Sequence, residues 1–396
     1  MSNLYVVSNL IEVAKSVESY VIEARHRMHK HPETRWETSW TRDFIEGKVQ
    51  SMGFEPKMFD GGIVVDIDTI PGGEKILCRA DFDALPVTEK TGLPYASVSE
   101  GKSHACGHDC GTAMLLGTLQ AISEHKIQLT KNIRVVFQDA EENPGTDPRP
   151  ESGGEVLVKE GVLEGVNRAY ALHIDNMPES TFGAFRSCSG AMLGNSGRIY
   201  FKVNSSGGHV AKPHTGVNAL RVVNAIMNQL NTFIARHFDP LQPATLEPAV
   251  VNAGKGSNVM PAEAEVWYGF RTMLPRREHE AWATTIEMEA IAVAASMDAK
   301  ITDVQLIHGH PALVNDYSAY TDAAVLLMTN GEEVTGMNPL LGGEDFAHYA
   351  MRVPSAMFML GAHTPNSGGD HHSPTFNPDE SVFWKGVHFW LLLATS

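Results

Sequence analysis

The chain has 396 residues, a length at which single hydrophobic cores stop growing, so two domains are expected. Its 47 acidic and 31 basic residues give a formal charge of −16, which disfavours nucleic acid and anionic membranes as partners. No segment approaches the roughly 20 apolar residues that span a bilayer. The first residues lack the basic and apolar regions of a secretory signal, so a cytoplasmic location is expected.

The first half of the chain predicts alternating helices and strands. Apolar residues at helical spacing predict a long opening helix over residues 4–30, and Thr112–His125 predicts a second helix. Short apolar runs between them predict strands. These runs are Ile63–Ile67, Ile76–Ala80, Ile133–Phe137 and Ala169–His173. The alternation predicts an α/β fold with a mostly parallel sheet flanked by helices.

Residues 193–308 show a different pattern, which predicts a smaller α+β module inserted into the first domain. The module is expected to contain strand Gly197–Val203, helix Ala219–Arg236, strands Ala249–Asn252 and Ala264–Thr272, and helix Glu280–Ser296. The elements expected after it are helix Tyr320–Asn330, strand Ala356–Leu360 and helix Ser381–Leu393. The catalytic domain is therefore expected to be discontinuous, over residues 1–192 and 309–396.

A cysteine and a histidine lie one residue apart just before the helix Thr112–His125. The four cysteines of the chain are too few for a disulfide framework, so each is a candidate ligand or nucleophile. Thiolate and imidazole suit borderline-soft divalent metals, and Cys106 and His108 can converge on one side of a loop. The alternative is an ordinary loop with Asp109 capping the helix.

A pair of glutamates, Glu141 and Glu142, follows the predicted strand Ile133–Phe137. Active sites of open α/β sheets lie beyond the carboxyl ends of the strands. One carboxylate of such a pair can bind a metal while the other, with a raised pKa, takes a proton from water. The alternative is two solvated glutamates in a turn.

Further metal-type ligands follow other predicted strands. His173 ends the run Ala169–His173, although a histidine there is more often structural. Either His371 or His372, before the closing helix, can act as a ligand. Asp81 follows Ile76–Ala80 and is suited to orient an imidazole or position substrate, or else it only forms the turn before a proline.

Motifs along nearly the whole chain resemble the aminoacylase-type metallopeptidase superfamily. The resemblance is to the branch of hippurate hydrolases, N-acyl-amino-acid amidohydrolases and hydrolases of auxin–amino-acid conjugates. The motifs are Arg27-Met28-His29-Lys30-His31-Pro32-Glu33, Arg79-Ala80-Asp81, Ala105-Cys106-Gly107-His108-Asp109, Ala140-Glu141-Glu142, Gly207-Gly208-His209, Asn258-Val259-Met260-Pro261, Glu344-Asp345-Phe346 and His372-Ser373-Pro374.

The resemblance implies a fold of the di-zinc exopeptidase kind and one or two divalent ions, of manganese, zinc, cobalt or nickel. The implied ligands are Cys106, His108, Glu142, His173 and His372. Cys106 bridges the ions if two are present, Glu141 is the general base and Asp81 holds the ligands in place. The inserted module resembles a lid and dimerisation domain, which implies a homodimer or larger homo-oligomer. In that module, His209 would stabilise the oxyanion, and Asn258 or Arg271 would bind a substrate carboxylate.

The chain also departs from the branch at several places near the predicted pocket. It has Cys110-Gly111 where relatives carry glycine and a second histidine, and Asp139 where they carry proline. His173-Ile174-Asp175-Asn176 lacks a following proline, and residues 144–150 are richer in proline than the usual glycine-rich loop. The ordinary acyl-amino-acid substrates of the branch therefore cannot be assumed.

The predicted function is metal-dependent hydrolysis of a carbon–nitrogen bond in a small molecule, most simply an N-acyl amino acid or related amide. In this mechanism water activated by the metal attacks the electrophilic carbon, and Glu141 moves its proton to the leaving amine. One alternative is displacement of ammonia from an activated aromatic amine. A second is a non-catalytic protein that binds a metal or small ligand. A hydrolase with Cys106 as nucleophile and His108 as base is disfavoured, because residues so close in sequence rarely meet with attack geometry.

Overall fold

The computed structural model describes residues 9–142 and 149–396. Within these residues the chain divides into two compact units. The first unit spans Met1–Met192, Val314–Asn338 and His348–Ser396, and the second spans Leu193–Leu313 and Pro339–Ala347. The domain boundaries expected at residues 192/193 and 308/309 stay a prediction.

The helices and strands are numbered here in chain order. The helices are α1 Leu10–Ser16, α2 Glu18–Lys30, α3 Ser39–Ser51, α4 His108–His125, α5 Gly153–Lys159, α6 Ala219–His237, α7 Arg276–Ser296, α8 Tyr317–Thr329, α9 Ala347–Ala350 and α10 Phe383–Thr395. The strands are β1 Pro56–Phe59, β2 Gly62–Ile67, β3 Lys75–Asp81, β4 Asn132–Gln138, β5 Arg168–Asp175, β6 Phe185–Ser187, β7 Gly190–Leu193, β8 Asn195–Asn204, β9 Gly208–His209, β10 Ala244–Ala253, β11 Val259–Met260, β12 Glu263–Thr272, β13 Lys300–His308, β14 Leu313–Asn315, β15 Val334–Gly336 and β16 Ser355–Gly361.

The first unit is built on an eight-stranded sheet in the order β1-β2-β4-β3-β5-β16-β6-β15. Its central strands β4, β3, β5 and β16 run parallel to one another. The pairs β1–β2, β2–β4 and β16–β6 are antiparallel, and β15 pairs in parallel with β6. The predicted α/β fold with a mostly parallel sheet is thereby confirmed. Because β3, β4 and β5 are parallel, the residues that follow them lie at the same edge of the sheet.

Helix α4 carries the cysteine–histidine motif and lies deep in the first unit. It contacts β3 and β5 on one side and α2 and α10 on the other. A helix covered in this way is apolar nearly all round, and every residue from His108 to Leu119 is buried. The main hydrophobic core therefore holds the start of α4 in a fixed position under the edge of the sheet.

The long opening helix predicted over residues 4–30 is divided in the structure. Val17 ends α1 and precedes α2, with φ −100° and ψ 4°, which lies outside helical geometry. Val17 is itself buried, so the apolar spacing continues through the break and gives no sign of it in the sequence. The part of the prediction over residues 4–8 lies outside the described residues.

The second unit contains a four-stranded antiparallel sheet in the order β10-β12-β8-β13. Helices α6 and α7 contact this sheet and form a second hydrophobic core with it. The predicted order of strand, helix, two strands and helix omitted β13. Most residues of β13 are exposed or half-buried, so it lacks the apolar alternation that indicates a strand.

No helix among the described residues is long and apolar enough to cross a membrane. The cytoplasmic location expected from the sequence stays a prediction.

Two glycines test how tightly α4 is packed. A Cβ at Gly117, in the middle of α4, would lie 2.3 Å from Val21 Cγ2 and 3.2 Å from Val387 Cγ2. Valine side chains on helices are stiff, so we expect Gly117→Ala to lower the free energy of unfolding by about 1–3 kcal/mol. Gly47 in α3 is the control, because a Cβ there meets nothing within 4 Å. Gly47→Ala is expected to raise the free energy of unfolding by about 0.5–1 kcal/mol. Thermal unfolding of both variants measures the difference, and equal shifts would contradict this account of the packing.

Candidate metal centre

The predicted ligands of the first unit converge at the carboxyl edge of its sheet. Gly107 turns the chain into α4 with φ 92°, in the left-handed region that favours glycine. A Cβ on Gly107 would lie 2.3 Å from Ile174 Cγ2 on β5, so only glycine lets the loop approach the strand this closely. The turn brings Cys106 and His108 beside His173, which is also on β5.

The possible ligand atoms form two overlapping groups of three that share Cys106. One group is Cys106, His108 and His173, and the other is Cys106, Glu142 and His372; within each group the ligand atoms lie within 4.8 Å of one another. His108, Glu141 and Glu142 form a third group by the same criterion. The structure therefore brings all five predicted ligands and Glu141 together.

Hydrogen bonds fix which ring nitrogen of two histidines faces the cluster. His108 Nδ1 donates to the main-chain oxygen of Asp83 at 2.9 Å, and His173 Nδ1 donates to that of Ile174 at 2.6 Å. In its neutral form each imidazole therefore carries its lone pair on Nε2, and His173 Nε2 lies 3.6 Å from Cys106 Sγ. In metal sites, an acceptor that binds the N–H of the ring nitrogen away from the metal orients the imidazole ligand.

The structure distinguishes the two adjacent histidines of the loop before α10. Both ring nitrogens of His371 are occupied by the main chain: Nδ1 donates to the oxygen of Cys106 at 3.1 Å, and Nε2 accepts from the N–H of Asn176 at 3.1 Å. His372 instead directs Nε2 toward Glu142 Oε1, 3.3 Å away. His372 is thus the histidine with a nitrogen available to a metal, and His371 positions the main chain around Cys106.

The electrostatics of the cluster favour a cation. Burial raises the pKa of the Cys106 thiol to about 12 although His108 opposes the rise. A thiol in such surroundings becomes thiolate when a metal ion coordinates it. Burial lowers the pKa of His108, but Asp81 and Cys106 outweigh burial and hold it well above its usual value. Thiol, imidazole and carboxylate ligands together fit a borderline-soft divalent ion.

Asp83 connects the two ligand segments, and the sequence analysis did not identify it. Its carboxylate accepts the N–H of Glu141 through Oδ1 at 3.0 Å and that of Glu142 through Oδ2 at 3.1 Å. Its main-chain oxygen holds His108. The only signal in the sequence is that Asp83 follows Asp81 by two residues, which places a second acid beyond the end of β3.

Asp81, the residue expected to orient an imidazole, is 3.8 Å from His108 Nε2 and forms an ion pair with Arg79 Nη1 at 2.8 Å. Burial would raise the pKa of Asp81, but Arg79 and His108 lower it to about 2. Asp81 is therefore a buried anion beside the cluster, and its role as a positioning residue stays a prediction.

The other three predicted site residues lie in the second unit. His209 on β9 is exposed and pairs with Val259 of β11, and its Nδ1 accepts the N–H of Ala211 at 3.0 Å. The main-chain oxygen of Asn258 accepts the N–H of Val210, so His209 and Asn258 are close neighbours. Arg271 lies on β12, opposite Ser196 of β8, and is half-buried.

Sheets that collect such ligands at one edge occur in metal-dependent hydrolases of carbon–nitrogen bonds, and the chain is of this class. More particularly, its residues 77–396 match the Peptidase family M20/M25/M40, and the chain belongs to that family. The expected enzyme class and the resemblance found in the sequence are confirmed.

Individual relatives agree with this membership. The chain is 32% identical to the N-acetyl-L-cysteine deacetylase of Bacillus subtilis over 385 residues, which cover 94% of this chain and 87% of that protein. A structure from methicillin resistant Staphylococcus aureus, assigned as an aminohydrolase, has a TM-score of 0.87 and 29% identity over 97% of this chain and 98% of that chain. A Bacillus subtilis dinuclear metal binding peptidase from the M20 family has a TM-score of 0.80 and 26% identity over 96% of this chain and 98% of that chain.

Metal titrations of two variants test the distinction between the adjacent histidines. We expect His372→Ala to weaken divalent metal binding by at least about tenfold, because it removes a ligand nitrogen. His371→Ala is expected to leave the number of bound ions unchanged, because neither of its nitrogens is available. Titration calorimetry of Mn²⁺ into metal-stripped protein measures the affinity and the number of bound ions for each variant. Loss of an ion from the His371 variant alone would reverse the assignment.

Proposed function

We propose that this protein is an amidohydrolase that uses two divalent metal ions to release an amino acid from a small N-acyl amino acid or related amide. The observation that carries the proposal is the pair of ligand groups that share Cys106, with Glu141 beside them. In the proposal, one ion is held by Cys106, His108 and His173, and the other by Cys106, Glu142 and His372. Bound there, such ions supply a Lewis acid and lower the pKa of water from about 15.7 to about 7.

Glu141 moves the proton in the proposed reaction. Its side chain is buried and lies in one ligand group with His108 and Glu142, so it faces the same space as the ligands. Glu141 takes a proton from the attacking water and delivers it to the leaving nitrogen. Asp83 holds the main chain of Glu141 during this transfer, because its carboxylate accepts the N–H of Glu141.

Three residues of the second unit keep, within the proposal, the roles predicted for them from the sequence. His209 would donate to the oxyanion that forms on the attacked carbon. Asn258, a close neighbour of His209, or Arg271 would bind the substrate carboxylate. Burial and the charge of Arg198 lower the pKa of Arg271.

Relatives support both this substrate class and one alternative. The Bacillus subtilis relative is named as a deacetylase of N-acetyl-L-cysteine, an N-acyl amino acid. The Staphylococcus aureus structure is assigned as an aminohydrolase, which favours, as a second candidate, displacement of ammonia from an activated aromatic amine by the same site.

A substrate panel with a Glu141→Gln variant tests the proposed function. We expect metal-loaded wild-type protein to release carboxylate from one or more N-acyl amino acids, without ammonia. Glu141→Gln should bind the same number of Mn²⁺ ions and lose at least about 100-fold in kcat, because its amide cannot accept the proton. Ammonia released from aminobenzoates would instead support the second candidate. A fully active Glu141 variant, or wild-type protein that binds metal and hydrolyses nothing on a broad panel, would refute the proposal.

We also propose that the protein is a homodimer that pairs through the edge strand β10. This strand has ten residues. Pro248 and a register shift between Pro248 and Val250 interrupt its middle, and beyond them residues 250–253 carry no charged side chain. Val250 and Val251 on it are 46% and 41% exposed. Proteins normally protect long apolar edges from pairing with charges. The opposite edge of the same sheet, β13, carries Lys300 and Asp303 and so is protected in this way.

A lysine on each edge tests the proposed dimer. We expect Val251→Lys to convert the dimer to monomer, because a lysine on an edge strand prevents strand pairing. Thr302→Lys on β13 is the matched control and should leave the dimer intact. Analytical ultracentrifugation measures the mass of each variant. A wild-type protein that sediments as a monomer, or a Val251 variant that remains a dimer, would contradict the proposal.

A further inference from the structure

Asp139 lies at the end of β4, immediately before the turn that carries Glu141 and Glu142. Its side chain is buried, with only 2% exposed. Thr38 Oγ1 donates to this carboxylate at 2.8 Å, and Arg42 Nε donates to its Oδ2 at 2.9 Å. Both partners belong to a different segment of the chain: Thr38 directly precedes α3, and Arg42 lies on it. The carboxylate therefore fastens the end of β4 to α3.

The residue after Asp139 is held in an unfavourable conformation. Ala140 has φ 47°, in the left-handed region that non-glycine residues rarely adopt. The N–H of Gly153 donates to the carbonyl of Ala140 at 3.2 Å, and the N–H of Asp139 donates to the carbonyl of Gly61 at 3.0 Å. Such a conformation persists only where its surroundings hold it. Asp139 supplies a charged side-chain contact on the strand side of this turn.

The left-handed turn at Ala140 sets the direction of the next two residues. Beyond it, the N–H groups of Glu141 and Glu142 both point at the carboxylate of Asp83. If Ala140 relaxed to an ordinary conformation, these two N–H groups could not both reach Asp83. The position of the two glutamates therefore depends on the strained turn and on what fastens it.

We propose that Asp139 is a positioning residue for the metal centre, acting through Thr38 and Arg42 to hold Ala140 left-handed and so to place Glu141 and Glu142. This inference rests on the proposed function, in which Glu142 binds metal and Glu141 moves a proton. It predicts that Asp139 affects metal affinity and turnover, beyond any effect on stability. It also predicts that a glycine at position 140 makes Asp139 dispensable, because glycine adopts positive φ without strain.

The experiment compares Asp139→Asn, Ala140→Gly and the double variant. Asp66→Asn is the matched control. Asp66 on β2 forms an ion pair with Arg134 on β4 at 2.7 Å, toward the end of β4 that is opposite Asp139. Three quantities are measured: the unfolding midpoint without metal, the affinity for Mn²⁺ by titration calorimetry, and kcat and KM on the best substrate of the panel.

We expect Asp139→Asn to lower Mn²⁺ affinity and kcat by about tenfold or more, the usual effect of removing a residue that supports metal ligands. Asp66→Asn should lower the unfolding midpoint and leave affinity and kcat unchanged. Ala140→Gly alone should change neither the Mn²⁺ affinity nor kcat by more than about twofold. In the double variant it should restore most of the affinity and most of the kcat that Asp139→Asn loses. If Asp139→Asn does not fold, Thr38→Val, which removes one hydroxyl, should show a smaller loss that Ala140→Gly also restores.

An Asp139 variant that behaves like the Asp66 control, or a loss that Ala140→Gly does not restore in folded protein, would overturn the inference. Either result leaves the proposed function intact as long as wild-type protein binds Mn²⁺ and turns over. Wild-type protein that neither binds Mn²⁺ nor hydrolyses an amide would instead overturn the proposed function.

Discussion

The proposed metal centre depends on one buried residue that contributes no ligand atom. Asp83 accepts a hydrogen bond from His108 through its main-chain oxygen, and hydrogen bonds from the N–H groups of Glu141 and Glu142 through its side chain. These contacts connect the start of α4 with the end of β4, two segments that the chain brings together only through the sheet. Because Asp83 is 1% exposed, water does not compete for its hydrogen bonds, and their geometry is correspondingly rigid.

This arrangement concentrates negative charge in the interior of the first unit. Arg79 compensates Asp81, but burial and the neighbouring Glu142 and Asp81 raise the pKa of Asp83 even though His108 opposes the rise. A buried anion without a partner is costly, so such a cluster is stable only with protons or cations among its acids. A bound divalent cation would supply such a positive charge, which would link metal binding to stability.

The sequence predicted the parts of this site that follow from strand order. Cys106, Glu142 and His173 were found because each lies at or just beyond a strand or at the start of a helix, and parallel strands share one edge. Asp83 and the distinction between His371 and His372 depend on hydrogen bonds between segments far apart in the chain, which periodicity does not report. The sequence did not predict the break at Val17 or the exposed strand β13 for the same reason, because tertiary contacts define both.

Backbone strain at the site shows where the fold serves chemistry at the expense of stability. Five non-glycine residues of the described chain have positive φ; one of them, Ala140, directly precedes Glu141, and another, His372, is a candidate ligand. Hydrogen bonds hold both: the N–H of His372 donates to Ala105 at 2.7 Å, and the carbonyl of Ala140 accepts from Gly153. Strain of this kind costs about 1–3 kcal/mol per residue and survives only in rigid surroundings. The densely packed α4 and the bridging Asp83 provide those surroundings, so contacts within the fold itself hold the candidate ligands in place.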